Sequence, residues 1–537
     1  MAASRPDALK TTGPSAFGWL DLAPILIVLV GLALMVAFDL GTPLPFNDEW
    51  MYQWVVRRFV EGHGFHLFPG QAPLALVQLW VGILVSVKGV DPHMLRLTAI
   101  PFVAATALAL HRLALDLGAN RFYAGVAAAA PVAIPLYAAT LTGWMTEPYY
   151  LALLMLAALA GCRWLDTGRG TLLTLALCVL ATLQRQQASA LAPALTLGLL
   201  LASRRRTVAA SEWGWLAVTW VAVLGALALP AVAGLQTAMM RDSVALLLHP
   251  AVAPVVASVL YLPGMTGLGA LAFGGALMWR GQPGAIPWWR RRAIPVAFGV
   301  GVLVVVKTYV LPGNYLTVAG LNPITVAGSK PDLYGAVMPA LKVLCVLAFV
   351  ALAARPFELW PVLKDPRGAF LLALGGLALV PLLDGDVFDR YYLGALLPWL
   401  PLAATLSRES RWALAARVWA LGVLVAGLGV YAIGEQDYQA WQVARATAEL
   451  RAVQTVPASD VFSGFEPYAV DVVLPAIDRT GRLPPYANRH ATTLEAPAHP
   501  RLVLLIEPPG DTRPGVPYSS LSPGKIVLVC VDPAGCL

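Results

Sequence analysis

Charge is scarce in this chain. Asp, Glu, Lys and Arg make up only 12% of its 537 residues, while 58% are hydrophobic. Soluble domains carry about 25% charge, so the chain as a whole does not read as a string of soluble domains. Nucleotide-binding signatures are missing too: the chain has no G-x-x-x-x-G-K-[ST] loop and no G-x-G-x-x-G after a strand. An ATP-driven pump acting alone is therefore ruled out. His63, His66 and His93 lack the spacing of zinc ligands. Cysteine is sparse, with five residues. Cys162, Cys178 and Cys345 lie in apolar runs and read as small apolar fillers. No internal repeat or long low-complexity tract interrupts the sequence.

What fills the chain is apolar. Runs long enough to cross about 30 Å of hydrocarbon, some 20 residues each, fall near 20–40, 97–115, 122–141, 148–164, 171–184, 188–202, 213–233, 251–279, 294–311, 334–354, 369–383, 391–406 and 414–433. The expected fold class is an all-α polytopic membrane protein of about thirteen spans. The run from Ala72 to Val87 is short and holds Gln78, which suits an interfacial or re-entrant helix. The net charge of +7 is informative through its placement and gives no sign of nucleic-acid binding. With Arg5 and Lys10 cytoplasmic, the loops holding Arg112 and Arg121, Arg163 and Arg169, Arg204 to Arg206, Arg280 and Arg290 to Arg292, Arg355 to Arg367, and Arg408 and Arg411 all fall on the same side. That is the positive-inside pattern. The first run lacks a small-residue cleavage site and reads as an anchor.

An odd number of spans puts everything after about Gly434 outside. There hydropathy drops, Pro and charge rise, and short β-type runs appear at 460–465, 501–506 and 525–531, after a helix expected over 438–454. The expected division is a transmembrane part, 1–433, whose first outer loop spans 41–96, and a small extracytoplasmic α/β domain, 434–537. Cys530 and Cys536 lie in the latter, where an oxidising compartment allows a disulfide or two free thiols.

The expected outer face gathers the unusual polar residues: Asp48 and Glu49, Glu147, Arg185, Lys307, Lys330, and Asp384, Asp386, Asp389 and Arg390. Isolated cations beside carboxylates, in loops that are otherwise poor in cations, fit a site for an anionic substrate. Pro-Phe-Asn-Asp-Glu-Trp suggests Asn47 as a helix N-cap, with both acids in the first turn and an apolar stripe through Met51, Val55 and Phe59. The plainer reading of the two acids is their affinity for a helix dipole, about 0.3–1 kcal/mol. Glu147, in Gly-Trp-Met-Thr-Glu-Pro at a membrane boundary, is either a site residue or a solvated loop acid. Arg185 sits in a tight hairpin between apolar runs, where a planar fork for phosphate would explain it. Asp384, Asp386 and Asp389 offer oxygens to a divalent cation, or form a hydrated loop or an ion pair with Arg390. No other cofactor is indicated.

The layout resembles the GT-C superfamily of integral-membrane glycosyltransferases, in particular the bacterial relatives of protein O-mannosyltransferases and of the lipid A aminoarabinose transferase. The resemblance covers nearly the whole chain. Asp48-Glu49 is similar to the family's acidic pair in the first outer loop, and Trp50 to Val87 to its juxtamembrane stretch. Met145-Thr146-Glu147-Pro148 matches its second acidic motif, Arg185 a basic residue in the third outer turn, and Arg390-Tyr391 an Arg-Tyr pair at a late span. Gly70-Gln71-Ala72-Pro73 stands where the family often has Lys-Pro-Pro. The resemblance implies a sugar donor on polyprenyl phosphate and a lipid, protein or polysaccharide acceptor, at the outer face of a bacterial cytoplasmic membrane. It further implies catalytic roles for Asp48 as general base and for Glu49 or Glu147 in orienting the acceptor or holding a cation, with Arg185 and Arg390 on the donor phosphate. Lys330 and Lys307, from the expected outer face, are further candidates for that phosphate.

Overall fold

In lipid every backbone N–H and C=O must be satisfied within the chain, which favours helices wherever the sequence is continuously apolar. The computed structural model describes residues 19–41, 45–68, 71, 73–235, 237, 240, 252–279, 311, 315–322, 326–328, 330–353, 356–380, 389–407, 413–457, 460–464, 470, 473–480, 502–507, 510, 512–518 and 523–530. The chain is mostly helical. Helices lie on twelve of the thirteen apolar runs; the run 294–311 falls outside the described residues except for Leu311. Length separates these helices. Among the described residues, five are long and apolar enough to cross a membrane: Ala23–Gly41 (α1), Pro92–Asp116, Thr146–Thr167 (α8), Ala210–Val232 (α11) and Ala413–Ala452.

A sixth span is formed if Arg121–Ala133 (α6) and Pro135–Leu141 (α7), bent by 60°, count as one. Pro135 explains the bend. The preceding residue, Ile134, is pushed into extended backbone, which interrupts the helix. Thr171–Gln184 (α9), at 14 residues, rises only about 21 Å, short of a full hydrocarbon core. It stops because Arg185 is extended; a 3-10 turn, Gln186–Ala190, then leads into Leu191–Ala202 (α10).

α8 is the central helix. Of its apolar window 83% is buried inside the protein, against 28% for α1 and α11. It packs against α9, α10, the helix Pro366–Leu377 and Ile100–Asp116 (α5), which continues the short Pro92–Leu97 (α4). Close crossing depends on a small residue: a side chain at Gly161 would begin 3.0 Å from Leu195 and 3.2 Å from Phe370.

Glu49–Val60 (α2) and Leu76–Val85 (α3) form a separate apolar cluster in which Trp50, Trp54, Val55, Leu79 and Trp144 are buried. The expected Asn47 cap is corrected here. Asn47 has φ 39°, the helix begins at Glu49, and the Asn47 side chain instead donates to the Tyr315 hydroxyl at 3.2 Å.

The expected strands appear as Val461–Phe462 (β4), Leu502–Glu507 (β5) and Gly524–Cys530 (β7), joined by Gly515–Tyr518 (β6) and by Ala327–Gly328 (β3) from much earlier in the chain. β5 runs antiparallel to β7, with Leu502 opposite Cys530 and Glu507 opposite Lys525, and parallel to β3 and β4 on its other edge. Its alternating pattern buries Leu502, Leu504 and Ile506 against Trp441, Ala444 and Ala448 of the long helix. That helix runs unbroken from Ala413 to Ala452, so the expected division at 434 falls within it. Leu316–Thr317 (β1) and Gly320–Leu321 (β2) form a separate two-stranded hairpin.

Candidate active site

Four loops and helix ends converge at the Thr146 end of α8. Asp48 stands at the start of α2, Glu147 in the first turn of α8, Arg185 in the extended link after α9, and Arg390 in the 3-10 turn Asp389–Tyr392. Pro148 fits beside Glu147 because a proline in a helix's first turn forfeits no intrahelical bond.

Arg390 Nη2 donates to Asp48 Oδ2 at 3.1 Å, and its Nε lies 3.9 Å from Glu147 Oε1. Arg185 Nη1 donates to that same Glu147 oxygen at 2.6 Å, while Thr146 Oγ1 donates to Oε2 at 3.1 Å. All four charged residues are at most 9% exposed. Two carboxylates and two guanidiniums therefore share one neutral, water-poor cluster, where each charge interacts more strongly than it would at the surface.

Aromatic rings surround the guanidiniums. Arg185 lies over Tyr150 and Tyr391, and Arg390 over Tyr315 and Tyr391, at 5.3–5.8 Å. The Tyr315 hydroxyl accepts from both Arg390 Nη1 and Asn47 Nδ2 at 3.2 Å. Burial pushes the Tyr315 phenol well above its usual range. The same cause raises Tyr52, with Asp48 and Glu147 adding to it. Tyr52 lies one helical turn beyond Asp48 on α2, on the same helix face. Both phenols therefore stay protonated at neutral pH beside the cluster.

The other expected site residues lie elsewhere. Glu49 is fully buried and directed away from Asp48: it accepts from Arg96 Nε at 2.9 and 3.1 Å and from the Phe46 backbone N–H at 2.8 Å. Lys330 pairs with Asp437 and donates to the Ala319 carbonyl at 2.9 Å, which holds the turn of the β1–β2 hairpin. Burial pulls its ammonium below the usual lysine range, with Asp437 opposing. The Asp389 carboxylate accepts from the backbone N–H groups of Tyr315, Leu316 and Arg390 at 2.8–3.0 Å, an anchor for the Tyr315 segment. Among the described residues no group of three or more His, Cys, Asp or Glu is placed to hold a metal ion. Lys307, Asp384, Asp386 and Cys536 lie outside the described residues, as does the side chain of Cys530.

Several neighbours of the cluster were not legible as such. Asp39, an acid inside the first apolar run, carried a signal, though it lies on the Glu49–Arg96 side: its carbonyl accepts from Arg96 Nη1 at 3.2 Å and its Oδ1 from the Gly143 backbone N–H at 2.8 Å. Gly143 holds φ +84°, and a side chain there would begin 2.9 Å from Phe46. Tyr52, Tyr150 and Tyr315 carried none, since only tertiary folding brings them to the guanidiniums. No model of a known protein family matches the chain, and comparison with curated proteins found no match.

Proposed function

We propose that the chain is a membrane glycosyltransferase that moves a sugar from a polyprenyl-phosphate donor to an acceptor hydroxyl at the extracytoplasmic face, with inversion. The observation that carries this reading is the Asp48–Arg390 contact at 3.1 Å beside the Glu147–Arg185 pair at 2.6 Å. It sets a proton acceptor next to two cations. In the proposed reaction Asp48 takes the acceptor's hydroxyl proton as its oxygen bonds to the anomeric carbon. The bond from that carbon to the phosphate oxygen breaks, and its electron pair leaves on the phosphate. Arg185 and Arg390 stabilise the charge that develops there, and their planar forks suit a phosphate better than a lysine would. Glu147 orients Arg185. With one base and no second carboxylate assigned as nucleophile, a single displacement inverts the centre.

The several helices long and apolar enough to cross a membrane support a membrane-borne donor. The finer arrangement belongs to the same proposal: thirteen spans in a bacterial cytoplasmic membrane, the N-terminus cytoplasmic, and residues 434–537 outside. The test is sugar transfer from radiolabelled polyprenyl-phosphate sugars by the purified protein in nanodiscs. Wild type is expected to transfer, and Asp48→Asn to lose about 10²–10⁴-fold while still folding. Passage of intact labelled lipid across a proteoliposome bilayer, with no transfer, would replace this reading with a transporter.

A further inference from the structure

Gln78 is out of place in the apolar helix α3. It is fully buried, and its amide Nε2 donates to the Trp144 carbonyl at 2.7 Å. The assignment of that nitrogen is forced, because a backbone carbonyl only accepts. The other amide atom, Oε1, is buried and meets no donor. A buried acceptor left unsatisfied is a net loss of stability, so Gln78 is a poor choice for packing α3.

Gln184 completes the arrangement. It is also fully buried; its Oε1 accepts from the Gln78 backbone N–H at 3.1 Å, at the otherwise open start of α3. Its Nε2 donates to the Thr146 carbonyl at 3.3 Å, and its own carbonyl accepts from Ala75 N at 3.2 Å. Gln184 precedes Arg185, and Thr146 precedes Glu147. The Gln184–Thr146 bond thus lies one residue behind the Arg185–Glu147 ion pair on both chain segments. Trp144, held by Gln78, belongs to the same turn. α3 itself exposes Trp80 and Leu84, at 45% and 71%.

We propose that Gln78 and Gln184 are positioning residues that set the spacing of the Glu147–Arg185 pair, with α3 as the support on which that turn is held. The catalytic consequence rests on the glycosyltransferase reading; the mechanical one does not. The paired donors hold two carbonyls of the turn, so removing either loosens Glu147 relative to Arg185 and leaves both charges in place.

The experiment compares full-length wild type, Gln78→Met and Gln184→Met in nanodiscs. Amide hydrogen exchange over residues 143–150 is expected to speed up by roughly tenfold or more in each variant, with exchange over 413–452 unchanged. In sugar transfer, kcat is expected to fall by about 10–100-fold with KM for the acceptor within about twofold, as for a sub-ångström misplacement of a catalytic pair. A role in stability alone would lower Tm without that split. Gln78→Met also removes the unsatisfied Oε1, so it keeps the test open should Gln184→Met fail to fold. Wild-type exchange over 143–150 in Gln78→Met would overturn the proposal, as would wild-type kcat in both variants. If wild type itself transfers no sugar, the exchange measurement still decides the positioning, and only the function falls.

Discussion

Replacing Arg96 with methionine removes the cation that faces Glu49 in a site where both side chains are at most 1% exposed. Breaking a buried ion pair by deleting one partner leaves the other charge desolvated and uncompensated, a loss of about 3–5 kcal/mol. The 537-residue chain unfolding as one unit has an entropy near 1.1 kcal/mol/K, at about 2.1 cal/mol/K per residue. Arg96→Met should therefore lower Tm by about 3–4 °C. The double variant Glu49→Gln/Arg96→Met removes both charges and keeps an acceptor for the Phe46 N–H, so it should recover to within about 1 °C of wild type. Thermal unfolding in detergent, followed by loss of the monodisperse peak, reads both numbers. Activity separates the adjacent acids: the double variant should keep most of its transfer, whereas Asp48→Asn should not. An Arg96→Met Tm within a degree of wild type would refute the reasoning, as would a double variant no more stable than the single.

Tyr52 gives a pH dependence. Its phenol keeps its proton well above the ordinary value of 10.0, so above about pH 10 the native chain holds a proton that the unfolded chain has lost, and stability falls as pH rises. Tyr52→Phe removes that share, so its Tm relative to wild type should improve between about pH 9 and 11; a constant difference over that range would contradict the shift. Lys330→Met removes the ammonium between Asp437 and the Ala319 carbonyl and should destabilise the fold by about 3–5 kcal/mol. Polyprenyl phosphate binding, measured by equilibrium dialysis with a labelled short-chain lipid, should change by less than about twofold; a loss of about tenfold, or 1.4 kcal/mol, would return Lys330 to the phosphate.

The helices were legible because lipid removes the choice. An apolar run with no partner for its backbone must be helical, and the observed bounds of Thr171–Gln184 coincide with the expected run. The break at Ile134 was also written in the chain, as a proline at position 135, though the run 122–141 reads as one span by hydropathy alone. Asp48, Glu147, Arg185 and Arg390 each stood out as a charge at the edge of an apolar run, and the structure brings these four together. Glu49 and Lys330 stood out by the same signal and were drawn elsewhere by Arg96 and Asp437. A charge near a membrane boundary announces that it needs a partner; which partner is settled by helix rotation and loop closure. Asn47 shows the same limit at short range. Its type predicts a cap, but a hydroxyl 268 positions away takes its side chain.

Charge balance explains why one arginine touches Asp48 under the proposed reaction. The four charged residues of the cluster sum to zero, and a sugar phosphodiester adds a single negative charge. Transfer leaves that total unchanged. As Asp48 takes the acceptor's proton it becomes neutral, and the leaving phosphate gains the charge that Asp48 gave up. Arg390 Nη2, at 3.1 Å from Asp48 Oδ2, is bound to the group that loses charge while the phosphate beside it gains charge. Protonation of Asp48 weakens that ion pair and leaves the guanidinium to the phosphate. The Arg390 charge is thus shared with the base before the step and with the leaving group after it. Because its contact with Asp48 also stabilises the ground state, it accelerates the reaction to the extent that its hold on the leaving phosphate exceeds its hold on the carboxylate. Glu147 is less suited than Asp48 to this exchange: Arg185 holds its Oε1 at 2.6 Å and Arg390 Nε lies 3.9 Å from the same oxygen, so two guanidiniums oppose its protonation.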